Sequence, residues 1–149
     1  MLSAIIFDIH GTLIKPGSHQ PFEGAAEVLA ALSKNHKLAY ATSWGPTRVE
    51  ALLGEFDLLK YFSARAYDSE VENCKPAADV YLLAAERLEV EAKDCLLVED
   101  GESCIEEAKK FGIKTVAHKS HPGQDFKAAD FVITNLQELE GAIGKLLVD

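Results

Sequence analysis

The sequence predicts an α/β architecture, a central parallel sheet with helices packed on both faces in three layers. Two observations carry this. Short apolar runs of strand length alternate with longer stretches of helical period along most of the chain, the rhythm of parallel strands joined by helical crossovers. Chemically capable polar residues then fall at the carboxyl ends of those apolar runs, the edge where such sheets offer a binding crevice.

Taken in order, "SAIIFD" at 3–8 reads as a buried strand and "KLAYATS" at 37–43 as a second. "SARAYDS" at 63–69 is a weaker candidate. "CLLVED" at 95–100 and "IKTVAH" at 113–118 follow, and "DFVITN" at 130–135 reads as an edge strand. Between them lie "FEGAAEVLAALSKN", "PTRVEALLGEF", "PAADVYLLAAERLEV", "GESCIEEAKKFG" and "LQELEGAIGKLL", each with an apolar stripe at helical spacing. Pro46 and Pro76 sit where a first helical turn tolerates proline, and Gly112 sits where a helix should end.

Length and composition set the bounds. A chain of 149 residues is expected to be one domain, 1–149, able to bury its own core. Its 15 basic and 24 acidic residues give a net charge of −9, and the lysines are scattered, which argues against nucleic acid as a partner. No apolar run approaches the roughly 20 residues of a membrane span, and "MLSAIIFDIHG" lacks the basic start of a signal peptide. Cys74, Cys95 and Cys104 show no CxxC or CxxH spacing, so reduced thiols in a cytoplasmic protein are expected.

The strand ends gather a particular chemistry. Asp8, Thr42 with Ser43, Glu99 with Asp100, and His118 all lie at carboxyl ends, and Lys75 precedes a helix on the same edge. Carboxylates brought together repel unless a cation lies between them, and hard oxygen ligands in this number suit Mg²⁺. A lysine, a hydroxyl and the helix start near Pro46 would add groups that hold an anion. Together they form a receptor for a phosphoryl group, with Asp8 able to attack phosphorus. Singly, each has a plainer role: a strand-end Asp forms turns, Lys75 is a solvated charge, and Thr42 and Ser43 cap the next helix.

The motifs, taken in order, resemble the haloacid dehalogenase superfamily. "FDIHGTLI" is similar to its nucleophile loop at Asp8, Gly11, Thr12 and Leu13, and "AYATSWG" to its second motif, placed on Thr42. "CKPAADVY" is similar to the third motif at Lys75, and "LLVEDGESCIEEAKKFGI" to the fourth at Glu99 and Asp100. The resemblance implies a Rossmann-like fold and a phosphatase of phosphate monoesters acting through an aspartyl-phosphate on Asp8. Thr42, Ser43 and Lys75 would bind the phosphoryl group. Mg²⁺ would be held by Asp8, the main-chain carbonyl of His10, Asp100, and Glu99 directly or through water.

Two features depart from that pattern. His10 stands where the family's phosphatases carry an acid/base aspartate. Imidazole can donate a proton in one step and accept one in the next. His10 is therefore a working proton shuttle, the mark of an idle site that binds a phosphorylated ligand or a partner, or a sign of different chemistry such as attack on carbon. The second departure is size, because only 33 residues lie between Asp8 and Thr42. That leaves "KPGSHQPFEG" as a loop and no room for a cap domain. Capless relatives act on large substrates or form a homo-oligomer in which a neighbour covers the site, so the expected partner is a phosphorylated small molecule or protein.

Three further residues have ordinary expectations. Trp44 forms either a stacking wall of the open pocket or, more commonly for such an aromatic, a contact with a neighbouring loop. His118 and His121 have HxxH spacing without further ligands nearby, which is the pattern of loop histidines rather than zinc. Cys74, beside Lys75, is expected to be a buried inert thiol.

Overall fold

The computed structural model describes residues 2–120 and 122–147. Six parallel strands form one sheet in the order β3-β2-β1-β4-β5-β6. They are β1 (Ala4–Phe7), β2 (Lys37–Thr42), β3 (Ala64–Tyr67), β4 (Cys95–Glu99), β5 (Lys114–His118) and β6 (Phe131–Ile133). The helices are α1 (Ala25–Leu32), α2 (Pro46–Glu55), α3 (Asp79–Leu88), α4 (Glu102–Lys109) and α5 (Leu139–Leu146). All six strands and five helices expected from the sequence are present, and "DFVITN" supplies the edge strand.

Residue period fixes the layers. Ile5 and Phe7 of β1 point to one face, with α1, α2 and α5 over them, and Ala4 and Ile6 to the other, under α3 and α4. The second face is lined by small residues on the sheet side, Ala39, Ala41, Ala64 and Ala66, against Ala84 and Ala85 of α3. Removing bulk from both surfaces lets that helix lie close to the sheet.

Pro46 is the first residue of α2, as its missing N–H allows. Pro76 is not in a first helical turn, because α3 begins only at Asp79. Side chains hold the intervening segment as a loop: Asp68 Oδ1 accepts the Lys75 N–H at 3.3 Å, and Asp79 Oδ2 accepts the Asn73 N–H at 3.1 Å.

The chain runs outward from β1 to β2 and β3, then crosses back so that β4 lies beside β1 in parallel register, Phe7 opposite Val98. The direction of winding reverses between these two strands. A crevice therefore opens beyond their carboxyl ends, where Asp8 follows β1 and Asp100 follows β4. Between β1 and α1 there is no inserted lid. Residues 15–24 make a tight turn pinned by an Ile14–Pro21 bridge and by the Lys15 N–H donating to the Gln20 carbonyl at 2.9 Å.

Burial sets a simple expectation for stability. Ile6 is fully buried in a central strand, so Ile6→Ala should lower unfolding free energy by about 2–5 kcal/mol. Val132 is exposed on the edge strand, and Val132→Thr should change it by less than about 0.5 kcal/mol. Urea denaturation of the two variants beside wild type checks both.

Candidate active site

The loop after β1 is wound around one carbonyl. Ile9 O accepts N–H groups from Thr12, Leu13 and Ile14 at 3.2, 2.9 and 3.0 Å. This coil returns the Thr12 hydroxyl to Asp8, where it donates to Oδ2 at 3.0 Å. Gly11 makes the turn possible for two reasons. Its φ is +84°, and a Cβ there would lie 2.0 Å from Asp100 Oδ2. The loop can sit under the Asp100 carboxylate only because residue 11 has no side chain.

Lys75 reaches Asp8 from the loop before α3. Its Nζ donates to Asp8 Oδ1 at 2.7 Å, to the Ala41 carbonyl at 3.1 Å and to Glu99 Oε2 at 3.3 Å. The Lys75 and Asp8 side chains are only 11% and 8% exposed, so this ion pair sits largely out of water. Burial would lower the lysine's pKa, but the Asp8 and Glu99 charges outweigh it and hold the ammonium above its ordinary range. Burial pushes the Asp8 carboxyl up to about 6; Glu99 reinforces the rise and Lys75 opposes it. Burial likewise raises Asp100 to about 6.

Asp8, Glu99 and Asp100 each offer an oxygen within 4.8 Å of the others. Three clustered carboxylates against one ammonium are short of positive charge, and an all-oxygen donor set suits a hard divalent cation such as Mg²⁺. The close seat of Asp100 over Gly11 also fits, since a side chain there would displace a ligand. Glu99 is the most committed of the three to protein donors. Its Oε1 accepts the Asp100 N–H at 2.9 Å, and its Oε2 accepts from Tyr81 and Lys75.

The remaining expected residues divide. Asp8, His10, Ser43, Trp44, Lys75 and the Glu99–Asp100 pair line one open cleft of about 450 Å³. Thr42 does not line it. Thr42 is 1% exposed, and its Oγ1 accepts the Trp44 N–H at 3.1 Å, the local turn-capping role such a residue has next to a helix start. His10 is exposed, with its ring 5.2 Å from that of Trp44. Trp44 is thus a wall of the cleft as well as a partner of core residues.

Two expectations are corrected. Cys74 is exposed rather than buried, because the Asp68-anchored loop runs along the surface, with Sγ 3.7 Å from the Asp68 carbonyl. His118 is not a loop histidine. It ends β5, is 1% exposed, and its Nδ1 lies 2.9 Å from the Thr12 carbonyl. A carbonyl only accepts, so Nδ1 carries the proton; Nε2 is buried without a partner among the described residues, and burial lowers the ring's pKa. A neutral histidine thereby braces the loop that presents Asp8. His121 lies outside the described residues.

Tyr81 is the residue that strand-end reasoning misses. It lies on α3, fully buried, donates to Glu99, and its ring centroid is 5.2 Å from Lys75 Nζ. The signal was present in "CKPAADVY", where Tyr81 follows Lys75 by six residues, but an apolar helix position does not advertise a hydroxyl aimed at the site.

Comparison with known proteins places the fold in a family. The family model described as haloacid dehalogenase-like hydrolase matches residues 15–118. The chain belongs to that family. It is 38% identical over 96 residues, 64% of the chain, to a phosphorylated carbohydrates phosphatase of Thermotoga maritima. It is 30% identical over 128 residues, 83% of the chain, to a phosphoglycolate phosphatase of Escherichia coli. These matches span 44% and 51% of those two relatives, so the chain corresponds to about half of each. A crystal structure of a phosphatase of the family from Thermococcus onnurineus superposes with a TM-score of 0.85 at 21% identity, over 96% of this chain and 98% of that one, which supports the fold.

Two outcomes follow from the carboxylate cluster. Asp8 and Asp100 must lose their protons to bind a cation, so Mg²⁺ affinity should rise as pH increases through about 6 and level off above it, with proton release on binding. Calorimetric titration from about pH 5 to 8 measures this. In the same assay Gly11→Ala should weaken Mg²⁺ at least tenfold, of the size seen when support around a metal site is disturbed.

Proposed function

We propose that this chain hydrolyses phosphate monoesters through an aspartyl-phosphate on Asp8, with Mg²⁺ as cofactor. The observation that carries this is the setting of Asp8. Its carboxylate is gripped by Lys75 on one oxygen and Thr12 on the other, at the mouth of an open cleft, with Glu99 and Asp100 beside it. Asp8, the His10 carbonyl and Asp100 would hold Mg²⁺, with Glu99 through water. When bound, the ion would neutralise charge on the phosphoryl oxygens and on the carboxylates.

The steps then follow from the side chains. An Asp8 oxygen attacks phosphorus in line as the bond from phosphorus to the ester oxygen breaks, and His10, in its protonated form, gives that oxygen its proton. Neutral His10 next takes a proton from water, whose oxygen attacks phosphorus and releases inorganic phosphate and free Asp8. Lys75 balances charge on the phosphoryl oxygens in both steps, and Ser43 offers a hydroxyl at the cleft wall. Thr42 keeps the β2 end in place. The exposed position of His10 on the cleft supports its assignment as the proton carrier, and the named activities of the Thermotoga maritima and Escherichia coli relatives support phosphate esters as the substrate class.

Phosphate release from a panel of phosphorylated compounds with Mg²⁺ tests this. Wild type should turn over, Asp8→Asn should lose at least 10³-fold in kcat, on the order expected for loss of a nucleophile, and His10→Asp should stay active with an altered pH profile. A silent wild type beside an active His10→Asp would show instead that the histidine marks an idle, ligand-binding site.

A further inference from the structure

With no lid inserted between β1 and α1, the walls of the cleft are left to contact the leaving group. Among the described residues the one lysine or arginine lining the cleft is Lys75, and it is committed to Asp8 and Glu99. One cation behind the cleft wall is differently placed. The Arg48 guanidinium, in the first turn of α2, stacks on Trp44 at 3.7 Å from the ring centroid. Among the described residues it makes no side-chain hydrogen bond or ion pair. Glu50, two residues along the helix, points away from Arg48 and pairs with Arg65.

Trp44, on the wall of the catalytic cleft, contacts both a ring of the cleft and a cation of α2. One side meets His10 in the catalytic cleft. Arg48, stacked on the same indole, lines a neighbouring surface cavity of about 410 Å³ together with His19 and, on its wall, Glu55. The guanidinium is thus one indole away from the His10 ring, within reach of a leaving group extended past Trp44. Stacking fixes the fork while leaving its N–H donors open, and that planar fork matches a carboxylate or a second phosphate. On a chain of net charge −9, an arginine stacked on an indole of the cleft wall is a selective feature.

We infer that Trp44 and Arg48 form a recognition ledge for a second anionic group, so that the preferred substrates are phosphate monoesters whose leaving group carries a carboxylate or a further phosphate. This rests on the cleft binding the phosphoryl group as proposed above.

Trp44 is the single tryptophan, so its fluorescence reports occupancy of the ledge without turnover. With Mg²⁺ present, the protein is titrated with alkylphosphonates, with ω-carboxyalkylphosphonates of matched length, and with alkylene bisphosphonates. At the chain length that spans the indole, the second anion should tighten binding about tenfold, and added salt should erode the gain, as for any exposed ion pair. Arg48→Ala should remove the gain while leaving plain alkylphosphonate affinity within about twofold. The carboxylate and bisphosphonate arms show which anion is preferred. Equal affinity across all three sets, or a gain that survives Arg48→Ala, overturns the inference while leaving the phosphatase reading intact. Failure of every phosphonate to bind overturns both.

Discussion

Three carboxylates meet beyond the ends of β1 and β4 with one ammonium among them, and the rest of the site is organised around that shortage of positive charge. Lys75 is buried where a lysine would ordinarily prefer to be neutral, and it stays charged because Asp8 and Glu99 are there. Removing it would leave carboxylates facing each other without compensation, which is costly in a partly dry site. Asp8 in turn has its pKa raised by burial and by Glu99, more than the single lysine can offset. The site is incomplete as charge, and a divalent cation or a phosphoryl group held with one is what such an arrangement is suited to accept.

The fold creates this meeting by reversing its direction of winding. Asp8 and Glu99 are far apart in sequence, yet β1 and β4 are neighbours, and the Asp8 N–H donates to the Val98 carbonyl at 3.0 Å. Around that point the supports are local. The Ile9-centred coil returns Thr12 to Asp8, Gly11 admits Asp100, His118 braces the coil through Thr12, and Tyr81 fixes Glu99 from below. Each is a small residue-level constraint acting on the same few atoms.

Much of this was legible in the sequence because it is written in periods and strand ends. Alternating apolar runs gave every strand and helix, and the carboxyl-end rule placed Asp8, Lys75, Glu99 and Asp100 together. What was not legible depends on tertiary direction. Thr42 ends a strand on the correct edge, but its hydroxyl turns back to the Trp44 N–H, a choice made by the turn and not by the residue type. Pro76 has the local look of a helix start, yet Asp68 and Asp79 hold the preceding segment open. His118 and Cys74 exchanged the burial expected of them, since a strand-end histidine can be covered by Phe22 and a thiol beside a buried lysine can still face solvent. Arg48 and Trp44 meet through the spacing of the turn and first helical turn, but only the tertiary structure shows that, among the described residues, no acid claims the arginine.

In the proposed mechanism Asp8 is the nucleophile and His10 handles the protons. The most direct test is to look for the intermediate itself. Protein mixed with an activated phosphoryl donor and Mg²⁺, then quenched in acid within milliseconds to seconds, is digested and analysed by mass spectrometry. The account predicts one added phosphoryl group on the peptide containing Asp8, labile to base and absent in Asp8→Asn. Turnover of the donor with no phosphoryl group on that peptide, or with the adduct on another residue, would contradict it.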